Sequence, residues 1–122
     1  MMSCKVLVVE DVAIAQKVAV MILESLGCSV DVADTGDQAV QKYQNSHYDM
    51  VFMDIGLPDT TGIEVTKEIR LLENGNNPTP IIALTAHNED SYKTASFEAG
   101  MNDFIVKPLT RISAEQMLNK FT

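Results

Sequence analysis

The chain has 122 residues, which is enough for one domain with a single sizeable core. Its formal net charge of -8 argues against nucleic acid and anionic membranes as direct partners, because both bind clustered Lys and Arg. Two cysteines, Cys4 and Cys28, and two histidines, His47 and His87, have no spacing typical of zinc ligands. No apolar run approaches the ~20 residues of a membrane span. We expect one domain over residues 1–122 with reduced cysteines, either a cytoplasmic protein or the cytoplasmic part of a membrane-bound sensor kinase.

Short apolar strands alternate with amphipathic helices through the first half of the chain. The run Lys5–Val9 is rich in β-branched residues and too short for a helix, which is typical of a strand. Apolar residues then recur at helical spacing until Gly27, a residue that commonly ends helices. The elements predicted here are a strand over Lys5–Val9, a helix over Val12–Leu26, a strand over Ser29–Ala33, and a helix capped within Asp34-Thr35-Gly36 that ends near His47.

The second half continues the same alternation. The apolar run Val51–Met53 ends on Asp54, and the following Gly56–Pro58 cannot continue a regular strand or helix. The elements predicted here are a strand ending on Asp54, a helix capped by Thr60 or Thr61, a strand over Pro80–Leu84, a helix over roughly Glu89–Ala99, a strand over Phe104–Val106 and a helix over Ile112–Phe121.

Strands and helices therefore alternate five times, without an internal repeat or linker. This pattern predicts right-handed crossovers and a parallel sheet that is covered by helices on both faces. The predicted fold class is α/β, a doubly wound five-stranded parallel sheet with five helices. In such sheets, ligands bind at the carboxyl ends of the strands.

Polar side chains stand at the ends of four predicted strands. Glu10 and Asp11 follow the first strand, Asp54 ends the third, and Thr85 and Lys107 follow the fourth and fifth. If the first and third strands are neighbours, three carboxylates share one crevice, and a cation is needed to relieve their repulsion. Mg²⁺ prefers such oxygen ligands. With an ammonium and a hydroxyl nearby, the set suits phosphoryl transfer in which Asp54 attacks phosphorus.

Each of these residues also has a simpler interpretation. Thr85 by itself is more typical of a helix cap, and Phe104 on an apolar strand is typical of a core residue. His87 is more typical of an exposed loop than of a tuned site. The phosphoryl interpretation gains weight because Thr85 accompanies Asp54 and Lys107.

Four stretches resemble the receiver domain of the two-component response-regulator family, over nearly the whole chain. They are Val8–Asp11, Met53–Asp59, Ala83–Ala86 and Gly100–Pro108. The resemblance implies a flavodoxin-like receiver fold with strand order 2-1-3-4-5. The runs Leu84–His87 and Gly100–Asp103 are most similar to receivers of hybrid sensor histidine kinases.

The resemblance also implies a role for each matching residue. It implies that Asp54 is the phosphoacceptor, that Thr85 and Lys107 contact the phosphoryl oxygens, and that Phe104 is the aromatic switch residue. It implies a site for Mg²⁺ (or Mn²⁺) made by Glu10, Asp11, Asp54 and the Gly56 carbonyl. The Lys107-Pro108 bond matches a position that is usually cis.

A receiver exchanges phosphoryl groups with a histidine kinase or a histidine phosphotransfer protein. It is a signalling phosphoacceptor that catalyses its own phosphorylation and slow dephosphorylation. The resemblance allows a homodimer through the fourth helix, fifth strand and fifth helix, and places Pro108 beside the docking surface.

The first helix carries its core stripe on Ala15, Val18, Ala19, Ile22, Leu23 and Leu26. Ile14 and Met21 lie on another face, as a partner-docking surface or as ordinary exposed residues.

Two positions depart from the family pattern. Glu10 occupies a place that is often Asp, and Gly56 offers no side chain to orient a hydrolytic water. Gly56 also argues against other classes: a phosphatase of the haloacid-dehalogenase kind and a topoisomerase-type metal nuclease both need an Asp there. A flavodoxin-like electron carrier needs a phosphate-binding loop where the chain has Glu10-Asp11. A degenerate receiver that only docks to proteins is the remaining alternative.

Overall fold

A computed structural model describes residues 4–75, 77–86 and 90–122 of the chain. Strands and helices alternate as the sequence predicts. The strands are β1 (Cys4–Val9), β2 (Cys28–Ala33), β3 (Met50–Asp54), β4 (Ile81–Thr85) and β5 (Asp103–Val106). The α-helices are α1 (Ala13–Ser25), α2 (Gly36–Asn45), α3 (Gly62–Glu73), α4 (Lys93–Ala99) and α5 (Arg111–Phe121), and a 3₁₀ turn, Asp90–Tyr92, precedes α4.

The five strands form one parallel sheet in the order β2-β1-β3-β4-β5, which confirms the predicted topology. In register, Val9 lies opposite Met53, so β1 and β3 end side by side at the centre of the sheet. Asp54 pairs with Leu84, and Thr85 pairs with Val106, so β4 and β5 end at the same edge. The chain order reverses between β1 and β3, and this is where an open α/β sheet binds its ligands.

The sheet separates two apolar cores because successive strand residues point to opposite faces. In β1, Leu7 and Val9 pack beneath α2, α3 and α4, whereas Val6 and Val8 pack beneath α1 and α5. Every residue of β3 and β4 is buried, as the continuous apolar runs predict for strands that are covered on both faces. This burial fixes the backbone from which the polar residues at the strand ends project.

The helix boundaries follow local capping chemistry. Thr61, rather than Thr60, caps α3 by accepting a hydrogen bond from the Glu64 amide, and Thr35 caps α2 through the Gln38 amide. The predicted fourth helix differs: its first turn is the 3₁₀ segment, and its predicted start at Glu89 lies outside the described residues. No α-helix in the described part of the chain is long and apolar enough to span a membrane.

One residue of the predicted core stripe on α1 does not face the sheet. Ala19 and Leu23 are buried, but Val18 is 43% exposed beside the loop that follows β5. This prediction was wrong because Val18 lies at the edge of the helical stripe, where α1 overhangs that loop. Both cysteines are free thiols, with Cys28 buried and Cys4 partly buried against the same core.

Candidate functional site

Three carboxylates meet where β1 and β3 end. Asp54 and Glu10 are 3% and 2% exposed, whereas Asp11 lies open to solvent. Each of the three carboxylates offers an oxygen within 4.8 Å of the other two. The sequence prediction of one acidic crevice is thus met by the geometry. Three carboxylates this close together need a positive charge nearby to offset their repulsion.

Lys107 supplies one balancing charge. Its Nζ lies 3.0 Å from Oδ2 of Asp54 and 3.4 Å from Oε1 of Glu10. Burial acts to lower the pKa of Lys107, but the hydrogen bond to Asp54 and the negative charges of Asp54 and Glu10 raise it above its ordinary value. The lysine is therefore an ammonium ion, fixed beside the predicted phosphoacceptor.

Backbone amides orient the two buried carboxylates. The Gly56 amide donates to Oδ1 of Asp54 over 3.1 Å, and the Val12 amide donates to Oε2 of Glu10 over 3.1 Å. Each carboxylate therefore has one oxygen held by the backbone and one that faces Lys107. Such fixed partners keep the acidic groups in place before any ligand binds.

The donor set fits a hard divalent cation. Glu10, Asp11 and Asp54 supply carboxylate oxygens, and the Gly56 carbonyl belongs to the loop that follows Asp54. Carboxylates, carbonyls and water are the ligands of Mg²⁺, and a site for a softer metal would contain Cys or His. The exposed side of this cluster, at Asp11, leaves room for the waters that Mg²⁺ retains.

The two predicted switch residues lie on β4 and β5. Thr85 is buried, and its hydroxyl is 3.5 Å from the Ile105 carbonyl on β5. Phe104 is partly buried against the core beneath α2, α3 and α4, with the Lys93 ammonium 4.2 Å from its ring centroid. The peptide bond between Lys107 and Pro108 is cis, as the resemblance implied.

Gly56 leaves open space beside Asp54. A Cβ added there would meet no heavy atom within 4 Å among the described residues, and its φ does not lie in the left-handed region. The chain could therefore carry a side chain at this position without a clash. His87, the other residue considered for tuning the site, lies outside the described residues.

An apolar groove of about 240 Å³ runs from α1 to the loop after β5. The groove is lined by Ile14 and Val18 of α1, by Pro108 and Leu109 of the loop after β5, and by Glu10 and Lys107 of the acidic site. Ile14 is 72% exposed and Met21 is 70% exposed, as expected for residues outside the core stripe. Met21, however, lines a separate depression on the β2 side. Sequence reasoning missed Val18, although its position four residues after Ile14 was the available signal.

Comparisons with known proteins agree with this geometry. The profile of the response regulator receiver domain matches residues 6–119. The aerobic respiration control sensor protein ArcB of Escherichia coli is 40% identical over 119 residues, which are 98% of this chain and 15% of ArcB. The receiver domain of the sensor histidine kinase PA1611 from Pseudomonas aeruginosa, solved with a magnesium ion in its active-site cleft, has a TM-score of 0.88 and 38% identity, and the match covers 98% of both chains.

A third similar protein was solved together with its partner. The receiver domain of the Saccharomyces cerevisiae response regulator Ssk1, in complex with the histidine phosphotransfer protein Ypd1, has a TM-score of 0.90 and 30% identity. This match covers 98% of the present chain and 88% of that one.

The chain belongs to the response regulator receiver domain family of two-component signalling systems. Relatives with similar sequences include receivers of hybrid histidine kinases. The chain spans between 7% and 42% of the length of the curated relatives that it matches.

Proposed function

We propose that the chain accepts a phosphoryl group on Asp54 from a phosphohistidine of a partner protein. The observation that carries this proposal is the contact of Asp54 with Lys107 within a cluster that also holds Glu10 and Asp11. A fixed ammonium beside a buried carboxylate attracts an anion into a crevice that is otherwise negatively charged. Asp54 is thereby both a nucleophile and part of the binding site.

In the transfer, an oxygen of Asp54 attacks phosphorus while the phosphorus–nitrogen bond of the phosphohistidine breaks. The electron pair of that bond returns to the imidazole nitrogen, and the product is an acyl phosphate on Asp54. Lys107 is placed to stabilise the negative charge of the transferred group. Its ammonium contacts Oδ2 of Asp54, the oxygen that does not accept a hydrogen bond from the Gly56 amide. Thr85 ends β4, between the strands that lead to Asp54 and Lys107, and in this proposal its hydroxyl donates a hydrogen bond to a phosphoryl oxygen.

Glu10, Asp11, Asp54 and the Gly56 carbonyl hold Mg²⁺ in this proposal, and Mn²⁺ can replace it since both prefer oxygen ligands. When bound, the cation neutralises charge on the phosphoryl oxygens. The structure of the PA1611 receiver with magnesium in its cleft supports the assignment. Glu10 has a longer side chain than Asp, and its carboxylate still reaches the cluster from the end of β1.

The partner docks over the apolar groove between α1 and the loop after β5. Lys107, which contacts Asp54, also lines this groove, so a helix seated on Ile14, Val18 and Pro108 can bring a histidine toward Asp54. Apolar contact supplies affinity, and the net charge of -8 favours a partner with basic residues at the rim. The complex of the Ssk1 receiver with Ypd1 supports a histidine phosphotransfer protein as the partner class.

Exposed apolar side chains on α4, α5 and the turn before α4 are in keeping with the proposed homodimer. They are Tyr92, Phe97 and Ile112. Sedimentation of the chain with and without a beryllofluoride mimic of the phosphoryl group measures whether the dimer forms.

We also propose that the domain lies in the cytoplasm, without direct membrane contact, because its net charge of -8 disfavours binding to anionic lipid.

Transfer from a protein donor tests the proposal. A purified histidine phosphotransfer protein that carries a radiolabelled phosphoryl group is mixed with wild-type chain or with Asp54→Asn. We expect rapid, Mg²⁺-dependent movement of label to the wild type and none to Asp54→Asn. Equal labelling of the two proteins would show that another residue accepts the group, and no labelling of the wild type would favour a receiver that only docks.

A further inference from the structure

We propose that the first turn of α2 is a clamp that sets the spacing between the two loops of the Mg²⁺ site, with Asp59 and Gln16 as its positioning residues. The inference rests on the proposed function, because it concerns the same cation. One loop follows β1 and carries Glu10 and Asp11. The other follows β3 and carries the Gly56 carbonyl. The connection of each loop to the start of α2 lies in the side chains of Asp59 and Gln16.

Asp59 joins the loop after β3 to α2. Its Oδ1 accepts a hydrogen bond of 2.9 Å from the Gly36 amide, and its Oδ2 accepts one of 3.1 Å from the Asp37 amide. These amides belong to the first turn of α2, where no helical carbonyl is available to them. The same bonds lower the pKa of Asp59, which is thus a carboxylate at neutral pH. Both of its oxygens are occupied by the helix.

The packing beneath this contact leaves little room for movement. A Cβ added at Gly36 would lie 2.4 Å from Cγ2 of Thr60 and 2.7 Å from Cγ2 of Val65. The loop and α3 therefore lie directly against the backbone of α2. A residue with any side chain at position 36 would force these segments apart.

The loop after β3 is also closed on itself, so that a shift of Asp59 is passed to Gly56. Gly56 and Thr61 form an antiparallel bridge, and the Gly62 amide donates to the Ile55 carbonyl over 2.8 Å. A Cβ at Gly62 would lie 2.3 Å from the Asp54 carbonyl oxygen. The segment Gly56–Thr61 has six residues and is closed by this bridge between its ends. It therefore has few ways to absorb a displacement at its centre.

Gln16 joins the other loop to the segment that leads into α2. Its Nε2 donates to the Glu10 carbonyl and to Oδ1 of Asp34, each over 2.5 Å. Asp34 in turn donates its amide to Oε1 of Gln38 over 2.8 Å, within the first turn of α2. The Glu10 amide also donates to the Ala33 carbonyl over 3.1 Å. Gln16 adds a side-chain tie between the Glu10 backbone and the segment that begins α2.

The helix terminus does not need Asp59 for its own cap. Thr35 already caps α2 by accepting a hydrogen bond from the Gln38 amide. The additional carboxylate comes from a loop 22 or 23 residues further along the chain. Its effect is to tie two distant segments together, which a local cap cannot do. Residues that orient metal ligands from outside commonly change metal affinity when they are replaced.

Titration with MgCl₂, followed by amide chemical shifts, tests the clamp without any phosphoryl chemistry. Asp59→Asn keeps one acceptor and should raise the Mg²⁺ dissociation constant by about 10-fold, the low end of the range for such outer residues. Asp37→Asn is the charge-matched control, since it also removes one negative charge, at the turn that Asp59 contacts, and its carboxylate bonds only Gln41 among the described residues. Its dissociation constant should change by less than about 2-fold, as expected for a screened charge.

Two further variants separate positioning from stability. Thr35→Ala removes the local cap of α2 and should lower the melting temperature without weakening Mg²⁺ binding. Gln16→Met removes the second arm and should weaken Mg²⁺ binding as Asp59→Asn does. Equal affinities of Asp59→Asn and Asp37→Asn, or a Thr35→Ala variant that binds as weakly as Asp59→Asn, would overturn the clamp alone. A wild-type chain that binds no Mg²⁺ would overturn the proposed cofactor and the clamp together.

Discussion

Nζ of Lys107 lies 3.0 Å from Oδ2 of Asp54, which joins the end of β5 to the end of β3 across β4. The same nitrogen is 3.4 Å from Glu10, at the end of β1. One lysine thus contacts carboxylates at the ends of β1 and β3 from the end of β5. In the proposed transfer, the phosphoryl group on Asp54 adds negative charge beside this ammonium, which links the chemistry at β3 to the end of β5.

Removal of the Lys107 ammonium should change the rate of phosphorylation and the affinity for Mg²⁺ in opposite directions. In Lys107→Ala, phosphorylation by a small phosphodonor should slow by about 10- to 100-fold, because the developing charge loses a fixed partner. Mg²⁺ should bind more tightly, because the carboxylates lose a competing positive charge. Initial labelling rates and an MgCl₂ titration measure the two effects. Lys120→Ala, which removes a lysine paired with Asp103 at the surface, is the control. Parallel changes in both properties would contradict this role.

The open space at Gly56 predicts a long-lived acyl phosphate. Hydrolysis needs a positioned water, and Gly56 has no side chain to hold one. Gly56→Asn should therefore hasten loss of the phosphoryl group, since a Cβ at this position meets no neighbour within 4 Å in the described structure and the amide can hold a water. Gly56→Ala, which adds carbon without an amide, should leave the decay rate nearly unchanged. His87→Ala should matter less than Gly56→Asn. Identical decay of wild type and Gly56→Asn would rule out this explanation.

The apolar groove predicts a selective loss of transfer from protein donors. Ile14→Ala and Val18→Ala should each cost ~1–2 kcal/mol of docking energy and slow transfer from a histidine phosphotransfer protein. Labelling by a small phosphodonor should be unchanged, since neither residue is within the acidic cluster. Met21→Ala should slow transfer less than Ile14→Ala, because Met21 lines a different depression. Loss of both routes together would mean that the substitutions damage the site itself.

A polar network at the opposite edge of the sheet predicts a pH dependence of stability. Burial opposes the charge of Glu73, but hydrogen bonds from Tyr43, the Thr79 amide and Arg70 hold its pKa below the ordinary value. Because the folded-state pKa is lowered, this stabilisation is present at neutral pH and is lost as the pH falls through that folded value. Burial and the bond to Glu73 also raise the pKa of Tyr43 to about 12.

Glu73→Gln should therefore be less stable at pH 7 by about 1–3 kcal/mol and should lose less stability on acidification than the wild type. Urea unfolding between neutral and acidic pH measures both changes. Glu98→Gln, at an exposed position on α4, is the matched control and should follow the wild type. A Glu73→Gln variant with the wild-type acid profile would show that other carboxylates govern the acid limb.

The sequence was informative where function depends on the ends of single strands. Glu10, Asp54 and Lys107 each follow an apolar run, so the parallel topology alone brings them to one edge. The contact of Asp59 with α2 could not be predicted, because it depends on how two loops distant in sequence approach each other. Val18 was misplaced for a similar reason: helical spacing does not show that the loop after β5 forms a groove beside α1. The first turn of the fourth helix also differs, since apolar residues three positions apart are compatible with a single turn of either helix type.

Intact-mass measurement after incubation with acetyl phosphate and MgCl₂ tests the central claim most directly, because it needs no partner protein. Wild-type chain should gain one acid-labile phosphoryl group, and Asp54→Asn should gain none. Chelation of Mg²⁺ should abolish the gain in the wild type. A phosphoryl group of equal yield on Asp54→Asn would contradict the assignment of Asp54 as the phosphoacceptor.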